Sequence, residues 1–230
     1  MKPYYQDDFV TLFHGDALEI AAQLPQADTL VLDPPFFMPA QHYAARSEWA
    51  RSWGDTAILA RWWASALDAL VPRLKGTGNA FVFCDDESYP VFYPGCYTRF
   101  PGLSALVWNK GQLGMGSPWR HSHEFILHAR RSGAKWCGSK GEPDVLDFSP
   151  VPSARRFHPV DKPDAMIGKL ISLTTDEGDL VIDFFAGGGS TLTAARSRGR
   201  RAIGVEIEES YCEVIAKRLS QAMLDLGGVA

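Results

Sequence analysis

The chain has 230 residues, enough for one domain with a substantial core, and its 46% hydrophobic content is ordinary for a soluble enzyme. A net charge of -4 is not the footprint of a surface that binds nucleic acid everywhere, so any such contact must be a local patch. The four cysteines, Cys84, Cys96, Cys137 and Cys212, contain no C-x-x-C pair, which argues against a zinc knuckle or a disulfide framework; no metal is expected. The N-terminus lacks the apolar core of a signal peptide and no apolar run reaches membrane-spanning length, so a soluble cytoplasmic protein is expected, with no membrane contact.

In chain order, Val10–His14 reads as the first strand, followed by Asp16-Ala-Leu-Glu19, whose D-x-x-E spacing is that of a helix capping box. Thr29–Leu32 is a second strand and runs directly into Asp33-Pro34-Pro35-Phe36. Leu59, Trp62, Trp63, Ala66, Leu67, Leu70 and Leu74 form a helical stripe that Pro72 bends or ends, and the two tryptophans are assigned to the core because they share it. Further strands are expected at Ala80–Cys84, Ser104–Trp108, Glu124–His128, Leu180–Phe184 and Ala202–Val205, with Asp85 and Asp86 on a surface turn. The stretch 130–163 is the least regular, and Ser210-Tyr-Cys-Glu213 repeats the capping logic ahead of Val214, Ile215, Leu219 and Met223. Several strands are continuously apolar, as required of strands covered on both faces. The fold class expected is α/β, a mainly parallel seven-stranded sheet with helices on both faces.

Two segments carry chemistry. Leu180-Val-Ile-Asp-Phe184 leads into the Gly187-Gly-Gly189 turn, and Ser190-Thr191 starts a helix whose free N–H groups favour a carboxylate. Glu206 ends the next strand, about twenty residues beyond the turn, where an acidic side chain commonly takes ribose hydroxyls. This much also suits a nicotinamide enzyme, although the spacing is not G-x-G-x-x-G. In Asp33-Pro34-Pro35-Phe36, the carboxylate and the Pro34 carbonyl are acceptors for the two hydrogens of an amine, and Phe36 offers a face for a flat base. In isolation each segment equally fits an ordinary turn after a strand.

Together they resemble the S-adenosylmethionine-dependent amino-methyltransferases of DNA. Asp183-Phe184-Phe185-Ala186-Gly187 is similar to the D-x-F-x-G-x-G element of that family, His158-Pro-Val-Asp-Lys162-Pro163 to its H-P-x-x-K-P element, and Gly15-Asp16 to the Gly-Asp before its D-P-P-Y. Trp108-Asn-Lys110 and His123-Glu-Phe125 resemble its W-x-K and H-E-F-I segments. With the catalytic motif first and the cofactor motif last, the order resembles the permuted β class. The resemblance implies a Rossmann-like class I methyltransferase fold, with S-adenosylmethionine held by Asp16, Lys162, Asp183, Phe184, Phe185, Ala186, Gly187, Gly189, Ser190, Thr191 and Glu206. Catalysis would rest on Asp33, Pro34, Pro35 and Phe36, and the product would be N6-methyladenine in DNA, formed on a flipped base with short or relaxed sequence specificity. Cytosine N4, RNA, and a non-catalytic cofactor- or DNA-binding protein stay open as alternatives.

It further implies one domain over 1–230, divided into a catalytic part (1–128), a short target-recognition segment (129–157) and a cofactor part (158–230). DNA would be met by Lys110, Trp119, Arg120, His121, His123, Arg130, Arg131 and Lys135, and a homodimer partner is a possible aid to recognition.

Overall fold

The computed structural model describes residues 1–36, 55–158 and 161–227, so Pro159 and Val160 of the H-P-x-x-K-P element lie outside the described residues. Its strands are β1 (Tyr5–Gln6), β2 (Val10–His14), β3 (Ala27–Leu32), β4 (Leu74–Cys84), β5 (Gly102–Asn109), β6 (His123–Arg130), β7 (Val145–Asp147), β8 (Leu180–Asp183) and β9 (Arg201–Glu206). All seven expected strands are there. The additions are β1 and β7, two- and three-residue strands at the sheet's outer edges, too short to show periodicity. The strand order is β1-β2-β9-β8-β3-β4-β6-β5-β7. From β2 to β4 in that order the strands run parallel, whereas β6 is antiparallel to both β4 and β5.

Helices α1 (Ala17–Ala21), α2 (Thr56–Leu70) and α3 (Tyr89–Tyr97) pack on one face, and α4 (Asp164–Thr174), α5 (Ser190–Arg196) and α6 (Glu209–Gly227) on the other. The alternation of side chains along a strand explains the continuous apolar runs. Leu30, Leu32, Ala80 and Val82 meet Trp63, Leu67 and Phe92, while Val31, Phe81 and Phe83 meet Met166, Leu170 and Ile171. Pro72 falls in a 3-10 turn, Val71–Arg73, that ends α2. Asp16 caps α1 by accepting from the Leu18 N–H at 2.7 Å. The second expected cap is displaced: α6 begins at Glu209, where the Cys212 N–H already reaches the Glu208 carbonyl, so Ser210 sits inside the first turn. No helix among the described residues is long and apolar enough to cross a membrane.

This topology decides what can meet what. The parallel strands β3, β8 and β9 bring Asp33, Asp183 and Glu206 to one edge, where ligands bind in open α/β sheets. Because β6 runs the other way, His123 and Glu124 arrive at that same edge and Arg130 is carried to the opposite one.

Trp63 is 1% exposed, packs on Phe92 at 4.6 Å and donates its indole N–H to the Phe92 carbonyl at 3.2 Å. Truncation to alanine is expected to lower stability by about 3–5 kcal/mol in urea unfolding, a loss of transfer energy plus a cavity under α3.

Candidate active site

A cleft of about 830 Å³ opens at this edge. It is lined by Asp33, Pro34, Pro35 and Phe36, by Asp183, Phe184, Phe185, Ala186, Gly187, Ser190, Thr191 and Glu206, and by Asp16 and Lys162. Of the residues expected at the cofactor and catalytic ends, Gly189 alone does not reach the cleft surface. It sets the backbone at the start of α5, with φ of 80°, and a Cβ there would press on Ile215. A Cβ on Gly188 would strike the Asp161 carboxylate, so the turn's need for glycine arises from its own backbone and protein neighbours.

Lys162 is not a solvated surface lysine. Its side chain is 6% exposed, and its Nζ donates to Asp33 Oδ2 at 2.7 Å and stands 3.7 Å from Glu124 Oε2. Its ammonium also lies 5.4 Å from the Phe36 ring and 5.3 Å from the Phe83 ring. Burial pushes the Asp33 carboxyl up, and Lys162 opposes that rise. Burial likewise disfavours the Lys162 ammonium, yet Asp33 and Glu124 hold its pKa above the ordinary lysine value. For Glu124 the outcome is a lowered pKa: burial opposes the charge, but Lys162 and Lys110 outweigh it.

At the other end, Glu206 accepts from the Gly187 N–H at 2.7 Å and the Glu208 N–H at 2.9 Å, fixing the glycine turn to the end of β9. The Ile207 N–H also bonds this carboxylate, which still keeps lone-pair capacity for a hydroxyl. Burial raises the Glu206 carboxyl despite these backbone bonds, and it raises Asp183 to about 7.

Among the described residues the lining contains eight carboxylates, Asp16, Asp33, Asp85, Glu124, Asp161, Asp183, Glu206 and Glu208, against one lysine and no arginine. Such a wall repels the pyrophosphate of a dinucleotide and favours a nucleoside cofactor that carries positive charge, which S-adenosylmethionine does through its sulfonium and ammonium groups. The donor set therefore fits that cofactor better than a nicotinamide one.

The DNA methylase family of N6 and N4 enzymes matches residues 27–218. The chain belongs to that family. It is 28% identical over 266 residues to the type II methyltransferase M.ScaI of Streptomyces caespitosus, covering 95% of this chain and 84% of the relative. The DNA adenine methyltransferase YhdJ of Escherichia coli (strain K12) is 22% identical, over 92% of this chain and 83% of its own length. Among solved structures, M1.HpyAVI in complex with S-adenosylmethionine aligns with a TM-score of 0.69 at 25% identity, over 91% of this chain and 98% of that one.

Several residues of this DNA methylase's cleft were not anticipated. Asp85, expected on a surface turn, lines the cleft, and so does Trp62, whose ring lies 6.0 Å from Phe185 while its neighbour Trp63 is core as expected. Glu124, His158, Asp161 and Tyr211 line it too. Glu124 and Asp161 lay within the two quoted motif segments, and their acidity beside conspicuous His residues was the signal available.

The residues expected to touch DNA divide. Lys110, Trp119, Arg120, His121 and His123 lie on or beside the β5–β6 connection at the cleft edge. Trp119 is 87% exposed, and Arg120 braces the loop through the Gly114 and Leu113 carbonyls. Arg130, Arg131 and Lys135 are instead at the far edge of the sheet and are engaged internally. Arg130 donates to Ser104 Oγ, Arg131 to the Val71 carbonyl, and Lys135 pairs with Asp176 and Asp179 at 2.7 and 2.6 Å. The antiparallel course of β6 is the reason these three stand away from the cleft, and their internal partners favour a structural role over a grip on phosphate. Segment 129–157 is a return path: it crosses under the far edge, adds β7 beside β5, and brings Phe148 back to the Asn109 carbonyl.

Two outcomes are expected. Lys135→Ala should lower the melting temperature while leaving DNA affinity and its salt dependence unchanged within about twofold, measured by calorimetry and by fluorescence anisotropy. Asp183 holds its proton in the folded apo protein above the pH at which the unfolded chain releases it. Its contribution to stability is therefore full below about pH 4 and is lost as pH rises through about 7. Urea midpoints from about pH 5 to about pH 8 should fall more steeply for wild type than for Asp183→Asn, and a cationic cofactor should bind wild type more tightly across that rise.

Proposed function

We infer that this protein transfers the methyl group of S-adenosylmethionine to the exocyclic N6 amine of adenine in DNA. The observation that carries this most directly is that Asp33-Pro34-Pro35-Phe36 shares one cleft with the glycine turn and Glu206, in a wall rich in carboxylates. When bound, the cofactor supplies a methyl group made electrophilic by a sulfonium.

The protein's own part is positioning and proton handling. Asp33 accepts one hydrogen of the amine and the Pro34 carbonyl the other, which turns the nitrogen lone pair out of the ring and toward the cofactor side. Burial makes Asp33 a better proton acceptor than an exposed aspartate, and Lys162 keeps it anionic. The nitrogen's surplus proton then has an acceptor within the same hydrogen bond. Phe36 presents a ring for the base, and Lys162 over that ring polarises its face. Glu206 takes the ribose hydroxyls, Asp183 faces the cationic end, and Trp62 and Phe185 supply apolar wall. The exposed Trp119 loop meets the duplex, and the brevity of 129–157 supports a short or relaxed target sequence.

Asp33→Ala is expected to lower kcat by about 10²–10⁴-fold with cofactor affinity nearly retained, whereas Glu206→Ala should weaken cofactor binding first. Digestion of reacted DNA and mass spectrometry of the nucleosides should give N6-methyldeoxyadenosine. N4-methyldeoxycytidine as the sole product would reassign the base, and no methylated nucleoside would remove the activity.

A further inference from the structure

Four charged side chains form an alternating line from the β5–β6 connection to the catalytic turn: Lys110, Glu124, Lys162 and Asp33. Lys110 Nζ donates to Glu124 Oε1 at 2.6 Å, and Lys162 Nζ donates to Asp33 Oδ2 at 2.7 Å. The middle link is different. Glu124 Oε2 is buried, has no hydrogen-bond partner among the described residues, and stands 3.7 Å from Lys162 Nζ. A buried carboxylate oxygen left unbonded is costly, and this one faces a single cation that another carboxylate has already taken.

The proposed reaction supplies a reason. Asp33 must accept a hydrogen from the substrate amine, and Lys162 competes for the same carboxylate. A shift of about 1 Å would bring the ammonium from Asp33 to hydrogen-bonding distance of Glu124 Oε2. Lys162 is buried between Phe36 and Phe83, where water is scarce, and the exchange leaves no bond unmade: the amine hydrogen replaces the ammonium at Asp33, and Glu124 Oε2 replaces Asp33 at the ammonium.

We propose that Glu124 is a positioning residue of the methyl-transfer reaction, which draws the Lys162 ammonium away from Asp33 as the substrate amine arrives. Lys110 limits the pull by occupying the other oxygen of Glu124, and since it lies at the root of the loop that carries Trp119, the strength of the pull is set next to the surface proposed for DNA. The inference rests on the assignment of Asp33 to the amine. The ionisable groups facing Asp33 and Glu124 are Lys162 from the segment before α4, Lys110 from the end of β5, Cys84 and Asp85 from the end of β4, and Asp183 from β8.

The test is the pH dependence of kcat at saturating DNA and cofactor, in wild type, Glu124→Gln, Glu124→Asp and Lys110→Gln. Glu124→Gln keeps the shape, removes one negative neighbour of Asp33 and leaves Lys162 wholly to it. Its kcat is expected to fall by about tenfold or more, with cofactor affinity within about twofold and the acidic limb of the profile moved to lower pH. Lys110→Gln leaves Glu124 to Lys162 alone and should move that limb to higher pH. Glu124→Asp, which retains the charge, should restore the limb toward its wild-type position. Unchanged kcat and limb in Glu124→Gln would overturn the inference. So would a loss of activity that tracks the folded fraction with the limb unmoved, or shifts of the same sign in the Gln variants at 110 and 124. Should Glu124→Gln fail to fold, the Lys110→Gln limb decides alone. An inactive wild type would instead strike the proposed reaction itself.

Discussion

The desolvated pair between Lys162 and Asp33 is the contact on which the site's geometry turns. It joins the end of β3 to the segment that precedes α4, residues 129 positions apart in the chain. Neither charge tolerates that environment alone, and removing one partner of a buried pair typically costs about 3–5 kcal/mol. The pair therefore holds Asp33 ionised, fixes the Asp-Pro-Pro-Phe turn against the floor of the cleft, and places a cation over Phe36. Phe36 in turn packs against both hydrophobic cores, so the Asp-Pro-Pro-Phe turn is anchored to each face of the sheet.

The sign of the cleft shapes what enters it. Eight carboxylates attract a cofactor that is positive at two atoms, and they oppose the approach of phosphodiester groups. A nucleobase, uncharged and flat, can pass where its backbone is repelled. Under the proposed function the roles separate: the chemistry would be done in an anionic cleft, while the duplex would rest on the outer loop that carries Arg120 and Trp119. This agrees with a net charge of -4 on a protein of this family.

Much of the fold was legible because strands buried on both faces must be apolar along their whole length, which is why all seven of these strands were found, although β4 begins at Leu74, a residue assigned to the helical stripe, rather than at Ala80, because its polar first half, Lys75–Asn79, carries no apolar run. The edge strands β1 and β7 were not, since two or three residues carry no period. Helix α3 gave no helical signal either: Tyr89–Tyr97 includes two prolines and a glycine, and the helix is held by Phe92 and Cys96 in the core rather than by propensity. At the site, Asp33, Asp183 and Glu206 could be placed on one edge because they end parallel strands. Glu124 and Asp85 could not, as their positions depend on how β4 and β6 are paired, and strand direction is absent from local pattern. For the same reason the far-edge position of Arg130, Arg131 and Lys135 could not be read from the sequence.

Strands β2 and β9 lie hydrogen-bonded side by side, in register from Val10 against Ala202 to His14 against Glu206, and α6 packs over β2. The earliest and latest long strands of the chain are thus neighbours in space, although the catalytic and cofactor motifs are far apart in sequence. In such a sheet the linear order of the motifs is a matter of where the ring of connections is opened, and the site is indifferent to it. A gene that moved the opening from the β9–β2 seam to the return path beside β7 would encode the same constellation with the two motifs exchanged, the cofactor turn read before Asp33.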